Sequence, residues 1–395
     1  MAKTNAEILN VIRANASAEY QERIPEALGT GGNVSKLFAQ YPSMKNEFLT
    51  TLTNKIARSL FYSKTFNNPL QALHKGMLPY GYSIEQIFVE MAETKGFWEH
   101  FDESGTAEKD LLGAKKPSVK ALYIERNFAY KYKVTISDAQ LHTAFHDQNG
   151  LSRLVEQCVA SVYSKAYFDE FTDMKRIITA HAEGKFLAYD SSTGKMGEVA
   201  LTNAILPKGQ TPAVMVLGEY STQEAKGKAL SKAIRTLAGK MTFPSTDYNS
   251  AKVQQWSERN ELIYITTPEE QAELDVEVLA TAFNMDKADV KVRTIVVDAL
   301  PSSFNIPSSQ ATKVATYGTL LKGDLSATRD NRTAKCRGVL MDASFLQCYD
   351  TLVESRTFDD GANLSTNYFF HKQGIMSTCY FGQIVYLVDA IPAKG

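Results

Sequence analysis

From Ser43 onward the apolar residues Phe48, Leu52, Ile56 and Leu60 recur at every fourth position, which lays one apolar stripe along a helix with Ser43 as its N-cap. The next segment, Asn67 to Gly81, holds Pro69, Gly76, Pro79 and Gly81, so the pattern predicts a chain that runs extended there without packing compactly. Ile84 to Met91 is rich in apolar residues. Lys120 to Ile136 includes the alternation Phe128, Tyr130, Tyr132, Val134, Ile136, which is the period of a half-buried strand. These two runs flank Glu93 to Pro117, a stretch dominated by Glu, Asp, Lys, Gly, Ser and Thr that cannot build a core of its own. A hairpin carrying a long polar loop is marginal in water, so support from outside is expected, most economically from a neighbouring copy of the chain.

After Ser137 a short helix is predicted, then a break at Gly150. Leu151, Leu154, Val155, Cys158, Val159, Val162, Ala166, Phe171, Met174, Ile177 and Ile178 follow at helical spacing, with no Gly or Pro before Gly184. A single helix of about 30 residues is the expectation, against a mean of about 11 or 12. Beyond Gly184, strands at Val214 to Leu217, Leu262 to Thr266 and Val292 to Val297 alternate with helices at Thr222 to Lys240 and Pro268 to Asn284, a compact α/β or α+β pattern. Thr267, Pro268 and Glu270 form a capping box at the start of the second helix. Pro301 to Arg332 is rich in Ser, Thr, Gly and Asp and reads as an exposed excursion. Short strands are expected at Val339 to Met341, Phe345 to Tyr349 and Cys379 to Val388.

Composition narrows the functional classes. Of 395 residues, 44% are hydrophobic and 22% charged, the balance of a chain folded over most of its length. The 43 Lys and Arg against 44 Asp and Glu leave no global positive field to draw the chain onto nucleic acid or an anionic membrane. Cys158, Cys336, Cys348 and Cys379 form no Cys-x-x-Cys pair and read as reduced thiols. Asn10, Arg13 and Asn15 interrupt any signal-like stretch, Ala2 excludes myristoylation, and the densest apolar run, Ile384 to Val388, is far shorter than a membrane span. No membrane association is expected.

Candidate chemistry is sparse. His142 and His146 stand four residues apart, with Asp138 and Asp147 near, a spacing that brings two imidazoles to one metal. A third ligand is missing, and Thr143 stands where the zinc-protease pattern needs Glu. Ser192-Thr193-Gly194-Lys195 resembles the end of a phosphate loop, but Tyr189 occupies the position of its first Gly. Glu269, Glu270, Glu273, Asp275 and Glu277 cluster in the first turns of a helix, where the macrodipole favours them. Cys158 lies among apolar neighbours, and no Gly-x-Ser-x-Gly elbow occurs. No catalytic residue, metal ligand or cofactor site is expected, and the chain reads as a non-enzyme.

Several segments together resemble the major capsid protein of the phi-twenty-nine-like short-tailed phages. They are Asn68-Pro69-Leu70 continuing through Lys75-Gly76, Pro79, Gly81 and Ile84-Glu85; Glu125-Arg126-Asn127; Ala272-Glu273-Leu274-Asp275-Val276 continuing through Val278-Leu279-Ala280 and Ala282-Phe283-Asn284-Met285; and, more weakly, Tyr349-Asp350. The resemblance implies an α+β chain with the HK-ninety-seven-like tailed-phage capsid fold. It implies an N-terminal arm over 1–64, an extended loop hairpin over 65–136, and a peripheral domain over 137–184 with a spine helix from about Leu151 to Glu183. An axial domain over 185–345 and C-terminal strands over 346–395 returning to the peripheral domain complete it. Two departures are visible: 301–332 reads as an insertion, and the chain stops at Gly395 without the immunoglobulin-like module of the type member.

The implied function is a head protein that self-assembles through pentamers and hexamers into an icosahedral shell around double-stranded DNA. Scaffolding protein and portal are the implied assembly partners, and DNA meets the inner face without sequence specificity. The implied location is the virion, with the host cytoplasm during assembly. Within the polar insert, Phe97, Trp98 and Phe101 are expected to anchor a contact between subunits, with Lys115 and Lys116 as rim charges. The rival readings are an encapsulin-like compartment of the same fold and a metal hydrolase using His142 and His146.

Overall fold

The computed structural model describes residues 5–28, 47–48, 66–78, 80–81, 83–92, 94, 116–137, 150–190, 195–199, 211–218, 220, 222–280, 292–311, 318–321, 329–390 and 393–394. Helix α1 (Asn5–Arg13) turns Leu9 and Ile12 inward. Helix α2 (Ala18–Arg23) starts at Ser17, whose Oγ accepts from Tyr20 N at 3.2 Å while the Glu47 carboxylate accepts from Ser17 N at 2.6 Å. The stretch expected to run extended is only partly so. Pro69–Leu73 winds into a 3-10 turn that buries Leu70 and Leu73, and only then does β1 (His74–Met77) begin. Pro69 fixes the first φ of the turn and needs no donor there, so the residue read as a breaker is a starter.

Strands β2 (Ser83–Val89) and β3 (Val119–Glu125) form an antiparallel pair around the polar insert. The run from Lys120 to Ile136 is not one strand. It breaks at Arg126-Asn127, and β4 (Phe128–Ser137) joins a different sheet. Helix α3 (Gly150–Ala182) is the long helix, 33 residues without interruption. Gly184, at φ +70, ends it, with Gly184 N donating to His181 O and Lys185 N to Ala180 O, a left-handed close that glycine adopts without strain. There follow β5 (Phe186–Asp190), β6 (Lys195–Val199), β7 (Ala213–Val216), α4 (Gln223–Lys240), β8 (Leu262–Thr266), α5 (Pro268–Ala280) and β9 (Arg293–Val296). The predicted strands and helices of this region are β7, α4, β8, α5 and β9.

Two readings need correction beyond this point. In its described residues Pro301 to Arg332 is not an exposed excursion: β10 (Ser303–Pro307) and β12 (Arg329–Thr333) pair, β11 (Thr319–Leu321) pairs with β7, and Phe304, Ile306 and Leu321 are buried. Its polar composition conceals three inward apolar side chains. After β13 (Cys336–Asp342), the expected short strand at Phe345 to Tyr349 is the start of a 15-residue strand, β14 (Leu346–Asp360), followed by β15 (Ser365–Thr378) and β16 (Ile384–Val388).

The chain forms two compact units, each discontinuous in sequence. The first comprises Met1–Asn68, Phe128–Asp173 and Asp350–Gly374. There, Leu9, Ile12, Tyr20 and Ile24 pack with Val159, Val162, Tyr163 and Ala166 of α3 and with Tyr368 and Phe370 of β15. β15 pairs antiparallel with β4, Tyr368 opposite Val134 and Phe370 opposite Tyr132. Arg13 secures the N-terminal helices by donating to Ile24 O at 2.7 Å and Gln21 O at 2.8 Å.

The second unit comprises Pro69–Asn127, Met174–Tyr349 and Ile375–Gly395. Its centre is a mixed six-stranded sheet in the order β11-β7-β16-β13-β8-β9. Apolar residues of α4 at helical spacing, Leu230, Ala233, Ile234 and Leu237, pack on Met215, Tyr264, Leu340, Val385 and Leu387 of that sheet. No helix among the described residues is long and apolar enough to cross a membrane.

Candidate intersubunit surface

The β2–β3 hairpin has two different faces, because side chains alternate across a strand and the register sets Gln86 opposite Leu122 on one face and Ile87 opposite Ala121 and Val89 opposite Val119 on the other. On one face Gln86 and Leu122, directly opposite each other, are buried. Phe88 and Ile124 pack there against a cluster of Ala251, Val253, Tyr380 and Phe381. Phe88 stacks on Phe381 with ring centroids 5.5 Å apart. The Gln86 amide fixes the hairpin by donating to Thr378 O at 3.3 Å and accepting from Tyr380 N at 3.0 Å. At its base Asn127 does the same to Met376, accepting from its N at 2.9 Å and donating to its O at 2.5 Å. A buried amide that satisfies a backbone donor and acceptor at once is costly to replace, so these two residues set the hairpin's position within its own unit.

The other face has no such cover among the described residues. Ile87 is 57% exposed, Val89 53%, Val119 54% and Tyr123 67%, with Ala121 exposed between them. Met91, just past β2, is also half exposed. A single exposed apolar side chain is ordinary; a contiguous apolar strand-pair face is not. Charges border it. Lys120 pairs with Glu90 at 2.6 Å, and Glu85 lies opposite Tyr123 on the partner strand, where its hydrogen bond raises the phenol above its ordinary range. The ladder continues past β2, Glu90 N donating to Ser118 O at 2.9 Å, so the strands remain paired up to the insert.

Phe97, Trp98, Phe101 and Lys115 lie outside the described residues, and Lys116, the last of the expected contact set, is exposed just before β3. His142 and His146, with Asp138 and Asp147, also lie outside them, as do Ser192, Thr193 and Gly194. Cys158 is half-buried, and burial pushes its thiol up, away from thiolate reactivity. The acidic cluster at the start of α5 has a more specific occupation than the helix dipole. Buried Arg337 of β13 donates to Glu270, to Glu273 at 3.0 Å and to Asp389 at 2.5 Å, and Lys335 pairs with Glu270 at 3.0 Å. Glu270, expected to turn back onto the helix cap, is taken by these cations. Sequence reasoning also missed the outer face of the hairpin. Its signal was present in the alternation Ile87, Val89 against Ile84, Phe88, but both sets being apolar hid which one faced outward.

The profile of the Phi29-like phage major capsid protein family matches residues 9–388. The chain is 28% identical to the major capsid protein of Bacillus phage GA-1 over 355 residues, 89% of this chain and 62% of that protein, so it spans less than two thirds of that relative's length. It is 28% identical to the major capsid protein of Bacillus phage B103 over 395 residues, 98% of this chain and 74% of that one. A chain from the capsid structure of Staphylococcus phage Andhra superposes with a TM-score of 0.55 at 12% identity, covering 82% of this chain and 85% of that one, which is a likeness of fold.

Proposed function

The chain belongs to the family of Phi29-like phage major capsid proteins, and from that membership we propose that it is the shell subunit of a short-tailed phage head, self-assembling around double-stranded DNA. One observation carries the mechanism: a hairpin clamped by Gln86 and Asn127 to its own unit on one face, with Ile87, Val89, Val119 and Tyr123 left exposed on the other. A closed shell needs heterologous contacts that close through rotation axes, and the same sequence must fit both pentamers and hexamers. A hairpin anchored on one face and apolar on the other supplies area for such a contact without a larger core.

The division of labour follows the family resemblance: an arm over 1–64, an extended loop over 65–136, a peripheral domain over 137–184 carrying the long helix, an axial domain over 185–345 with an insertion at 301–332, and returning strands over 346–395. Phe97, Trp98 and Phe101 anchor the loop on the neighbouring subunit, with Lys115 and Lys116 at the rim. Scaffolding protein and portal act during assembly in the host cytoplasm. The inner face meets the packaged DNA without reading sequence. The chain performs no catalysis on a substrate.

The test replaces both Ile87 and Tyr123 by Ser. Because both side chains are more than half exposed in the subunit, its denaturation midpoint should stay within about 0.5 kcal/mol of the parent. Particles, assayed by sedimentation and negative-stain microscopy with scaffolding protein supplied, should be lost. Normal particles from the double variant would sink the proposal.

A further inference from the structure

Outside the stretch from β1 to β3, the described residues of the second unit leave large apolar side chains exposed in one place. Phe243 is 69% exposed and Trp256 50%. Both stand on the segment that links α4 to β8, where the backbone pairs with itself. Ser245 and Gln255 exchange hydrogen bonds at 3.0 and 3.2 Å, and Ser257 N donates to Met241 O at 2.9 Å, so the two aromatics lie on facing segments between these rungs. Buried Gln383 fixes the residues on either side of Trp256. Its Nε2 donates to Gln255 O at 2.8 Å, and its Oε1 accepts from Ser257 Oγ at 2.9 Å. An exposed indole on a pinned backbone has little freedom to lose on binding, and aromatic anchors of this kind dominate interface energies. Cations border the pair. Lys240, whose carbonyl accepts from Phe243 N at 3.1 Å, and Arg259, whose guanidinium lies beside Gly239, are both exposed. Glu258 and Glu261 follow on the same loop, with the Glu261 carboxylate accepting from Glu258 N at 3.2 Å.

We propose that Phe243 and Trp256 receive the outer face of the β2–β3 hairpin of a second copy of the chain. This rests on the shell reading and names what that hairpin face meets. The two surfaces match in chemistry. The hairpin face presents Ile87, Val89, Val119 and Tyr123, and its charged positions are the exposed Glu85 and Glu125, with no Lys or Arg among the β2 and β3 positions of that face. The receiving loop offers aromatic area with cations at its border. Apolar surface therefore meets apolar surface, while Glu85 and Glu125 meet Lys240 and Arg259. The hairpin of the same copy cannot close this contact. Its inner face is the one that packs on Ala251 and Val253 of the same loop, so its outer face is directed away from that loop. A contact between two unlike patches of one chain is heterologous and repeats around a rotation axis until the ring closes. One loop thus holds its own hairpin through Ala251 and Val253 and the neighbour's hairpin through Phe243 and Trp256, which couples the placement of each hairpin to that of the next.

The unaltered full-length chain tests it, as free subunits and as particles assembled with scaffolding protein supplied. Hydroxyl-radical footprinting read by peptide mass should label Trp256 and Phe243 in free subunits and leave them protected in particles. Particles mixed from ordinary and heavy-nitrogen-labelled subunits are then treated with a carbodiimide, which joins a lysine to a carboxylate with no spacer. Isotopically mixed pairs linking Lys240 to Glu85 or Glu125 are expected. Trp256→Ser should raise the subunit concentration needed for assembly by roughly tenfold or more, with circular dichroism reporting its fold. The unaltered chain decides the matter without the variant. Trp256 labelled as heavily in particles as in free subunits overturns the proposal and leaves the shell reading standing. Lys240 coupled across copies only to other surfaces, or not at all, overturns it too. If the unaltered chain forms no particles, the shell reading and this contact fall together.

Discussion

His181 illustrates how far a single residue departs from its sequence appearance. In the last turn of α3 a histidine is ordinarily a favourable, solvated cation. Here it is fully buried, with Nδ1 2.9 Å from Tyr386 Oη, Nε2 3.0 Å from Ser250 Oγ, and its ring edge-on to Phe345. Tyr386 Oη donates its one proton to Ile178 O at 3.0 Å, so it must accept from His181 Nδ1, which leaves Nε2 to accept from the Ser250 hydroxyl. The geometry therefore fits the neutral ring, and burial lowers its pKa from 6.5 to about 3. A folded pKa below the unfolded one means that this stabilisation is complete above about pH 6.5 and is lost as pH falls toward 3, at about 1.4 kcal/mol per pH unit. Urea midpoints of the parent should fall over that window, and those of His181→Gln, lower at neutral pH, should fall less steeply. Parallel profiles would contradict the assignment. None of this was legible in the sequence, because Ser250 and Tyr386 are 69 and 205 residues away from His181. The same holds for Arg337, a charge inside a strand that no local pattern connects to Glu270 and Glu273.

At the scale of elements, legibility followed how one-sided the burial is. β4 was visible because Tyr130, Tyr132 and Val134 alternate with exposed Lys131, Lys133 and Thr135. The core face of α4 was visible for the corresponding reason at a period of 3.6. β14 was largely missed, because from Tyr349 to Ser355 every residue is half-buried and the polar side chains of both faces erase the alternation. β13 poses the opposite problem, being buried throughout, and its one glycine carries the constraint. A Cβ at Gly338 would fall within the van der Waals envelope of the Tyr264 ring, next to the register shift between Cys336 and Gly338. Tyr264 is itself buried, and its hydroxyl donates to Arg337 O at 3.2 Å, so the ring has nowhere to move without losing that bond. Gly338→Ala should cost about 3 kcal/mol, the upper part of the range for overpacking, and Tyr264→Leu in the same chain should restore part of it. A Gly338→Ala subunit with the parent's melting temperature would show that the sheet yields at this point.

At the scale of the whole molecule, the family was legible because it rests on local motifs, and the long helix because it keeps one uninterrupted helical period, now Gly150–Ala182. What sequence could not supply is which surface remains uncovered after the chain has folded. The deciding experiment removes the polar insert and leaves both faces of the hairpin in place. β2 and β3 stay paired through Glu90 and Ser118, so replacing Met91 to Pro117 with Asn-Gly closes the strands by a two-residue turn suited to their twist. The hairpin keeps its anchors, since Gln86, Phe88 and Leu122 lie outside the excised segment and bind within their own unit. The shortened chain should therefore melt like the parent as a monomer, or slightly higher, because a shorter loop costs less closure entropy. If the insert carries the contact with the neighbour, shells should fail to form, and Trp98→Ala alone should reproduce part of that failure, at roughly 2 kcal/mol for a central aromatic anchor. Three measurements separate the readings: monomer melting, sedimentation of the assembled fraction, and particle counts by microscopy. A destabilised monomer would mean that the aromatics of the insert fold back onto their own subunit, and normal shells from the shortened chain would mean that the apolar hairpin face suffices for assembly without them.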